Sequence, residues 1–568
     1  MAPLSIIIWL PAVAGVLGAV ASLAARRRPA SAADTVPAVG DRDDRDHATR
    51  TPVARADRLA GLIALAGTLG ALGLAVGLVA GYHPGGGLSD VTDRSWIAEL
   101  GIHYKLGVDG LNVFLVGLTT LLFALAVGAA NLRRWDRPRL FFFHFMLAES
   151  AVLGAFLAQD LALFVAFFDL MLIPFYFLIG GWGGSGRVAA TTKLVIYTLV
   201  GSLLMLAAAI ATGVLAARHN GGHITFVLSE LARLPLGRGS QEWIFLFFAA
   251  AFLVKMPAFP LHGWMPDGYR AMPIEVLMVF SGVVAKVGAY GFLRIVLPLY
   301  PQGAAHFQML MLLIGLTSIL YGSVMAFTQT HARLIAGYSS VAQLGFITLG
   351  IFALNPQGAQ GALLQMVNHG LVVAPLFFIT ALLARRAGGS EDIRDMGGIA
   401  TGAPVLASVF LIVALATLAI PGSSNFVGEF LILLGVFNTK LVIAVVAFSG
   451  VVMASVYALR LFVRAMHNRV GPAVRSHDMG LSDGAVLVPF LAVIGFLAVY
   501  PQLALHRSEG SATAAVAAAH AALKPAAVGA THLPRANPPQ AVAARTAHSP
   551  PAGAPRPSAA RTIARATP

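Results

Sequence analysis

Two lysines lie deep inside apolar stretches of this chain. Lysine loses its proton readily when desolvated, whereas arginine stays charged. Lys255 follows Trp243 to Val254, twelve residues with no polar group beyond the indole. Lys286 follows the run from Val276 to Ala285 and precedes another apolar stretch to Leu299. The chain has only six lysines against thirty-three arginines. A charge near a bilayer centre costs roughly 2.5–3.5 kcal/mol on insertion scales, and a residue kept there is a functional candidate. Lysine inside helices, in a chain that otherwise uses arginine, points to groups that gain and lose a proton.

Few other ionisable groups share that environment. Asp169 lies in LALFVAFFDLMLIPFYFLI, Glu149 and His144 lie in the preceding apolar run, His369 in LLQMVNHGLVVAP, and Glu429 in SSNFVGEFLILLG. Asp169 reads either as a tuning partner of Lys255 or as a structural acid paired with it. Glu149 admits a hydrogen bond to a neighbouring helix or a place in a relay, and His369 likewise. His144, beside Phe141 to Phe143, reads as packing. His262 and Asp267 read as loop anchors.

These residues need a membrane scaffold. Of 568 residues, 57% are hydrophobic and 11% charged, against about 25% charged in soluble domains. Apolar segments long enough to span recur at 4–25, 59–81, 111–131, 140–158, 160–182, 194–216, 243–262, 274–298, 307–328, 334–354, 358–384, 404–438, 441–463 and 483–506. They are segments 1 to 14 below. The first lacks a basic start and is too long at its apolar core for a cleaved signal peptide. Loops after odd-numbered segments carry 22 Lys/Arg, and those after even-numbered segments carry 6. The positive-inside rule places the odd loops in the cytoplasm and both termini outside.

Segments 7 and 12 carry helix breakers beside ionisable groups. Pro257 and Pro260 follow Lys255, and Pro421-Gly422-Ser423-Ser424-Asn425 precedes Glu429. A proline removes a backbone donor and clashes with the preceding turn. Interrupted helices at matching places in two halves mark transporter ion sites. Segments 7 and 12 are five apart, which predicts two five-helix repeats, segments 4–8 and 9–13, inverted because five is odd. Lys286 is expected on an unbroken helix between the two interruptions. The expected fold is an all-α polytopic membrane protein of about 14 transmembrane helices.

Residues 1–110 are read as two N-terminal helices with a charged cytoplasmic insert at 26–58, residues 111–506 as the core, and residues 507–568 as a disordered Ala/Pro-rich tail. No amphipathic lateral helix with a further anchor is expected after segment 14. The net charge of +14 is spread over loops and tail, a topological signal and not a nucleic-acid surface. Cysteine is absent, which excludes disulfides, thiolate-bound iron–sulfur clusters and Cys-ligated zinc. Gly181-Trp-Gly-Gly-Ser-Gly186 fits G-x-G-x-x-G but follows a membrane helix and opens no βαβ unit. No Walker A run and no metal-ligand spacing is present.

FLVKMPAFPLHGWMPD, VVAKVGAYGFLR, RLIAGYSSVAQLGF and IPGSSNFVGEFLILLG resemble the subunit M family of bacterial NADH-quinone oxidoreductase, respiratory complex I. That family is similar to mitochondrial ND subunit 4 and to Mrp-type cation/proton antiporter subunits. The resemblance covers about residues 100–505. It implies that Asp169 takes the place of the family's segment 5 glutamate, Lys255 and Lys286 the places of its lysines, His369 that of its segment 11 histidine, and Glu429 that of its terminal acid. Asp169 departs by one methylene, and Gln343 stands where the family often has histidine. The insert at 26–58 and the tail have no general family counterpart.

The implied role is a proton-translocating membrane subunit of an enzyme complex in the bacterial inner membrane. It would bind no cofactor itself, with FMN, iron–sulfur clusters and quinone in partner subunits. Its partners would be the other membrane subunits, through them the peripheral arm, and membrane lipids, with no nucleic acid. Protons would pass between Lys255 and Glu429 along Lys286 and His369, with Glu149 a further candidate. Asp169 would hold the Lys255 proton when the pair is closed and free it when open. A Mrp-type antiporter subunit and a membrane-bound hydrogenase subunit remain alternatives.

Overall fold

The computed structural model describes residues 4–27, 52–84 and 87–523. Among the described residues, twelve helices are long and apolar enough to cross a membrane, and they fall on segments 1–6, 8–11, 13 and 14. Segments 7 and 12, where prolines follow Lys255 and precede Glu429, are each split into shorter helices. The chain is a multi-pass helical membrane protein.

Segments 4–8 pack as a closed ring: 4 on 5, 5 on 6, 6 on 7, 7 on 8, and 8 back on 4. Segments 9–13 repeat the same ring in the same order. An odd number of spans turns the second ring over relative to the first. The most apolar windows of segments 8 and 10 are 100% buried, so their polar groups face protein and not lipid. Segments 9 and 10 meet backbone to backbone. A Cβ on Gly345 would lie 2.6 Å from the Gly315 carbonyl oxygen, an approach that only small residues permit.

The breaks occur where sequence placed them. Segment 7 runs over Arg238–Lys255 and ends on the lysine; helix resumes at Met265–Ala271. The freed backbone groups find partners inside the protein, as a membrane interior demands. The Trp264 indole donates to the Val254 carbonyl at 3.0 Å, and the Phe259 amide donates to Ser318 Oγ at 2.9 Å. Segment 12 is split into Pro404–Thr417 and Ser424–Phe437. Its turn takes Ala419 to φ 51° and Gly422 to φ 92°, a region natural for glycine and strained for alanine. Asn368 of segment 11 donates to the Ser424 carbonyl at 2.5 Å.

Four expectations need correction. Segment 8 is not an unbroken helix: π turns at Phe280–Val284 and Phe292–Val296 interrupt it on either side of Lys286. Segment 5 is hitched at Met171, between Leu161–Leu170 and Leu172–Trp182. Pro174 explains the hitch, because it offers no amide to the Leu170 carbonyl four residues back. Residues 507–523, read as part of a disordered tail, are ordered. Segment 14 ends at Val499, and a separate helix, Gln502–Ala522, packs on segments 8 and 11. Its seam is small, with Ala512, Ala515, Val516 and Ala519 buried. Finally, residues between segments 2 and 3 form an antiparallel hairpin, β1 (Ser89–Ile97) and β2 (Ile102–Val108), that the helical pattern missed. Gly101 closes it in the left-handed region. Of the charged insert, residues 28–51 lie outside the described residues, as does the tail from 524.

Candidate functional site

Lys255 occupies the last position of the first half of segment 7 and is buried. Its Nζ lies 3.4 Å from the Phe168 carbonyl oxygen and 4.4 Å from the centre of the Phe168 ring. Neighbouring Asp169 is only half-buried, and its Oδ1 is shielded from solvent without a hydrogen-bond partner. The two side chains make no ion pair within 4.0 Å. The lysine therefore meets the helix that carries the acid, but not the acid. One residue along a helix turns a side chain by about 100°, and aspartate lacks the methylene that would recover the reach. Asp169→Glu is expected to bring a carboxylate oxygen within 4.0 Å of Lys255 Nζ in a structure of the variant. A gap that persists would show that the backbone of segment 5 sets it, and not side-chain length.

Lys286 is fully buried and also has no acid partner. Its Nζ donates to the Ser281 carbonyl at 2.6 Å. Ser281 lies in the π turn, where the register of backbone bonding shifts from i−4 to i−5. The departure from a regular helix thus places a carbonyl against the ammonium. His369, on segment 11, is buried within electrostatic range of Lys286, and its Nδ1 has no partner.

Glu429 lies on the second half of segment 12, buried, with its Oε1 accepting from Gln343 Nε2 at 2.6 Å. Gln365 Nε2 stands 3.4 Å from the same oxygen and donates to Gln343 Oε1 at 2.7 Å. The acid is held by two neutral amides. Gln343 is the position where the resemblance noted a departure from histidine, with no link to Glu429 foreseen, and Gln365 was missed altogether, because an uncharged amide in a membrane helix gives no charge signal.

The remaining candidates separate clearly. Glu149 is fully buried with both carboxylate oxygens unpartnered. It shares a helix face with Phe145 and Phe156, which pack on Phe123 of segment 3 and Tyr290 of segment 8. No bond joins it to the other ionisable groups. His144 bonds the Leu140 carbonyl at 2.7 Å and stacks near Phe177, a packing role. His262 packs against Phe259 and Tyr321, and Asp267 pairs with Lys193 at 2.9 Å on the surface. Two ion pairs went unnoticed in the sequence, Arg133 with Glu275 and Arg294 with Asp109. Both join residues more than 100 positions apart, so local pattern carries no trace of them. Among the described residues, no group of three His, Asp or Glu side chains is placed to hold a metal ion.

The structure thus brings Lys255, Lys286, His369 and Glu429 into the interior of the paired rings, one beside each helix break and two between. The chain matches the sequence model of the family described as NADH:quinone oxidoreductase/Mrp antiporter, TM, over residues 158–455. It is 37% identical over 460 residues to NADH-quinone oxidoreductase subunit M of Rhodobacter capsulatus, covering 79% of this chain and 88% of that relative. It is 38% identical over 431 residues to subunit M of Escherichia coli strain K12, covering 74% and 84%. A chain of respiratory complex I from Thermus thermophilus superposes with a TM-score of 0.77 at 30% identity, covering 92% of this chain and all of that one. A chain of the Mrp complex from Dietzia sp. reaches 0.69 at 21% identity, a likeness of fold alone. The chain belongs to the NADH:quinone oxidoreductase/Mrp antiporter family of membrane subunits.

Proposed function

We propose that this chain is the M-type membrane subunit of a proton-pumping NADH-quinone oxidoreductase. The observation that carries the reading is the pair of interrupted helices, each with one ionisable group at its break, in a chain 37–38% identical to subunit M over most of its length. The 21% likeness to a Mrp complex concerns fold and does not favour the antiporter reading.

The chain's own residues hold and move protons. With 22 Lys/Arg on one set of loops against 6 on the other, the positive-inside rule puts the arginine-rich end in the cytoplasm of a bacterial inner membrane and both termini outside. A proton held by Lys255 is stabilised when Asp169 closes on it. In the open arrangement only the Phe168 carbonyl and ring face the ammonium, and they attract it less than an anion does. Opening therefore favours transfer along Lys286 and His369 to Glu429, whose two glutamine partners orient it without themselves taking a charge. Water at the broken turns bridges the gaps. The energy comes from partners: flavin, iron–sulfur clusters and quinone act in other subunits, and the chain is driven through contacts in the membrane plane.

Affinity purification through a tag on this chain tests the assignment. Copurifying flavin- and iron–sulfur-containing subunits with NADH-dependent quinone reduction are expected. Recovery of small membrane subunits alone, with sodium-dependent proton flux, would place the chain among the antiporters.

A further inference from the structure

The arginine-rich end of the bundle contains an open-mouthed cavity of about 760 Å³, with polar walls and ample room for water. Three carboxylates line it, each held by an arginine: Glu391 by Arg333, Asp483 by Arg385 at 3.2 Å, and Glu275 by Arg133. The first two belong to the rim, with side chains 19% and 14% exposed. Glu275 is different. Its side chain is 1% exposed, and one Arg133 nitrogen donates to both of its oxygens, at 2.9 and 3.1 Å. Arg133 itself is 54% exposed and stacks beside Trp135. The pair therefore joins a buried acid to an arm that reaches into open space. Removing the partner of a buried charge leaves it uncompensated, so movement of the arginine is a demand for a proton at the acid.

Glu275 occupies the first turn of segment 8, the helix that carries Lys286. Eleven residues separate them, about 16 Å along the axis. The space between is not wholly apolar. Ser281 Oγ lies 3.5 Å from Ser340 Oγ, and Lys286 Nζ rests on the Ser281 carbonyl. The Tyr269 hydroxyl, buried and without a partner among the bonds of the structure, lies alongside Ser281. These hydroxyls lie at the lysine's end of that interval, and water must bridge the rest from the cavity. Resting on the proton-pumping reading above, we propose that Glu275 takes up protons from the cytoplasm for delivery to Lys286, with Arg133 as its latch.

The step is balanced as follows. Arg133 swings into the cavity, and the Glu275 carboxylate accepts a proton from a hydronium there, leaving water. The proton passes through intervening water and the serine and tyrosine hydroxyls to a neutral Lys286 amine, which becomes ammonium. The carboxylate, again an anion, recaptures Arg133. The other charged or titratable groups on the cavity are Arg270 and His331. Burial holds His331 below its usual value, against the pull of Glu391.

The test uses the whole complex in proteoliposomes. Glu275→Gln is expected to lower proton-coupled turnover per assembled complex by at least ~10-fold. The loss should deepen between pH 6 and 8 on the cytoplasmic side, where hydronium is scarcer. Glu275→Asp should restore most of the rate. The chain lacks cysteine, so Ala384→Cys on the cavity wall provides a probe: labelling of this subunit by a membrane-impermeant thiol reagent is expected from the cytoplasmic side only. A purely structural clamp predicts less assembled complex, with turnover per complex and its pH profile unchanged in Glu275→Gln, and that result overturns the proposal. Lys255→Met, run in parallel, separates the two readings. If it abolishes pumping while Glu275→Gln does not, the inlet alone falls. If it leaves pumping intact, the translocation reading itself falls.

Discussion

Lys255→Met lowers the rate of proton pumping by the reconstituted complex by on the order of 10²-fold, the low end of what a positioned proton-transfer group contributes. The substitution separates chemistry from folding. Methionine keeps an unbranched chain of similar length and fills the same space over the Phe168 ring. The lysine it replaces is buried with no carboxylate within 4.0 Å, so its removal takes away a desolvated charge and not a closed ion pair. Assembly and thermal stability should therefore hold or improve while pumping fails. The rate of proton uptake into proteoliposomes, measured per assembled complex, decides the matter. An unchanged rate would sink the scheme.

Glu429→Gln is the second large effect, again about 10²-fold on pumping, and for a different reason. The amide is isosteric and can still bond Gln343 and Gln365, which now approach Glu429 at 2.6 and 3.4 Å. The geometry survives, but three amides in contact leave no group there that titrates. Glu429→Asp keeps the acid but withdraws it from both glutamines, so it should retain more activity than Glu429→Gln. Equal rates for the two variants would mean that the position serves packing. Per-complex rates matter, because a lost hydrogen bond at a buried site costs ~1–3 kcal/mol and reduces yield.

Much of this site was legible in the chain because its signals are covalent. A proline announces a missing amide wherever it stands, and so Pro257 and Pro421 located both breaks. Pro174 carried the same message for segment 5, where the run was long enough to be taken as one span. The π turns around Lys286 carry no such mark: they differ from α-helix by the register of one hydrogen bond, which packing decides. Helix Gln502–Ala522 was hidden by composition. An Ala-rich stretch reads as low complexity, yet alanine is the best helix former, and its methyl groups suit a tight seam against segments 8 and 11. The gap between Asp169 and Lys255 depends on the directions of two side chains, which spacing does not supply. Glu275 gave no signal of its own at the start of segment 8, because its importance comes from Arg133, 142 positions away.

The open state of the lysines has an electrical consequence. Lys255 and Lys286 face carbonyl oxygens and an aromatic ring, with no carboxylate within 4.0 Å. A closed ion pair is a dipole, and a uniform field exerts almost no net force on it. An unpaired ammonium is a monopole. Full transit of the membrane is worth about 2.3 kcal/mol per elementary charge per 100 mV, so a site at mid-depth feels about half of that. Proton occupancy at these two positions is thereby a function of membrane voltage as well as pH, and the back-pressure of an energised membrane acts on the amines directly.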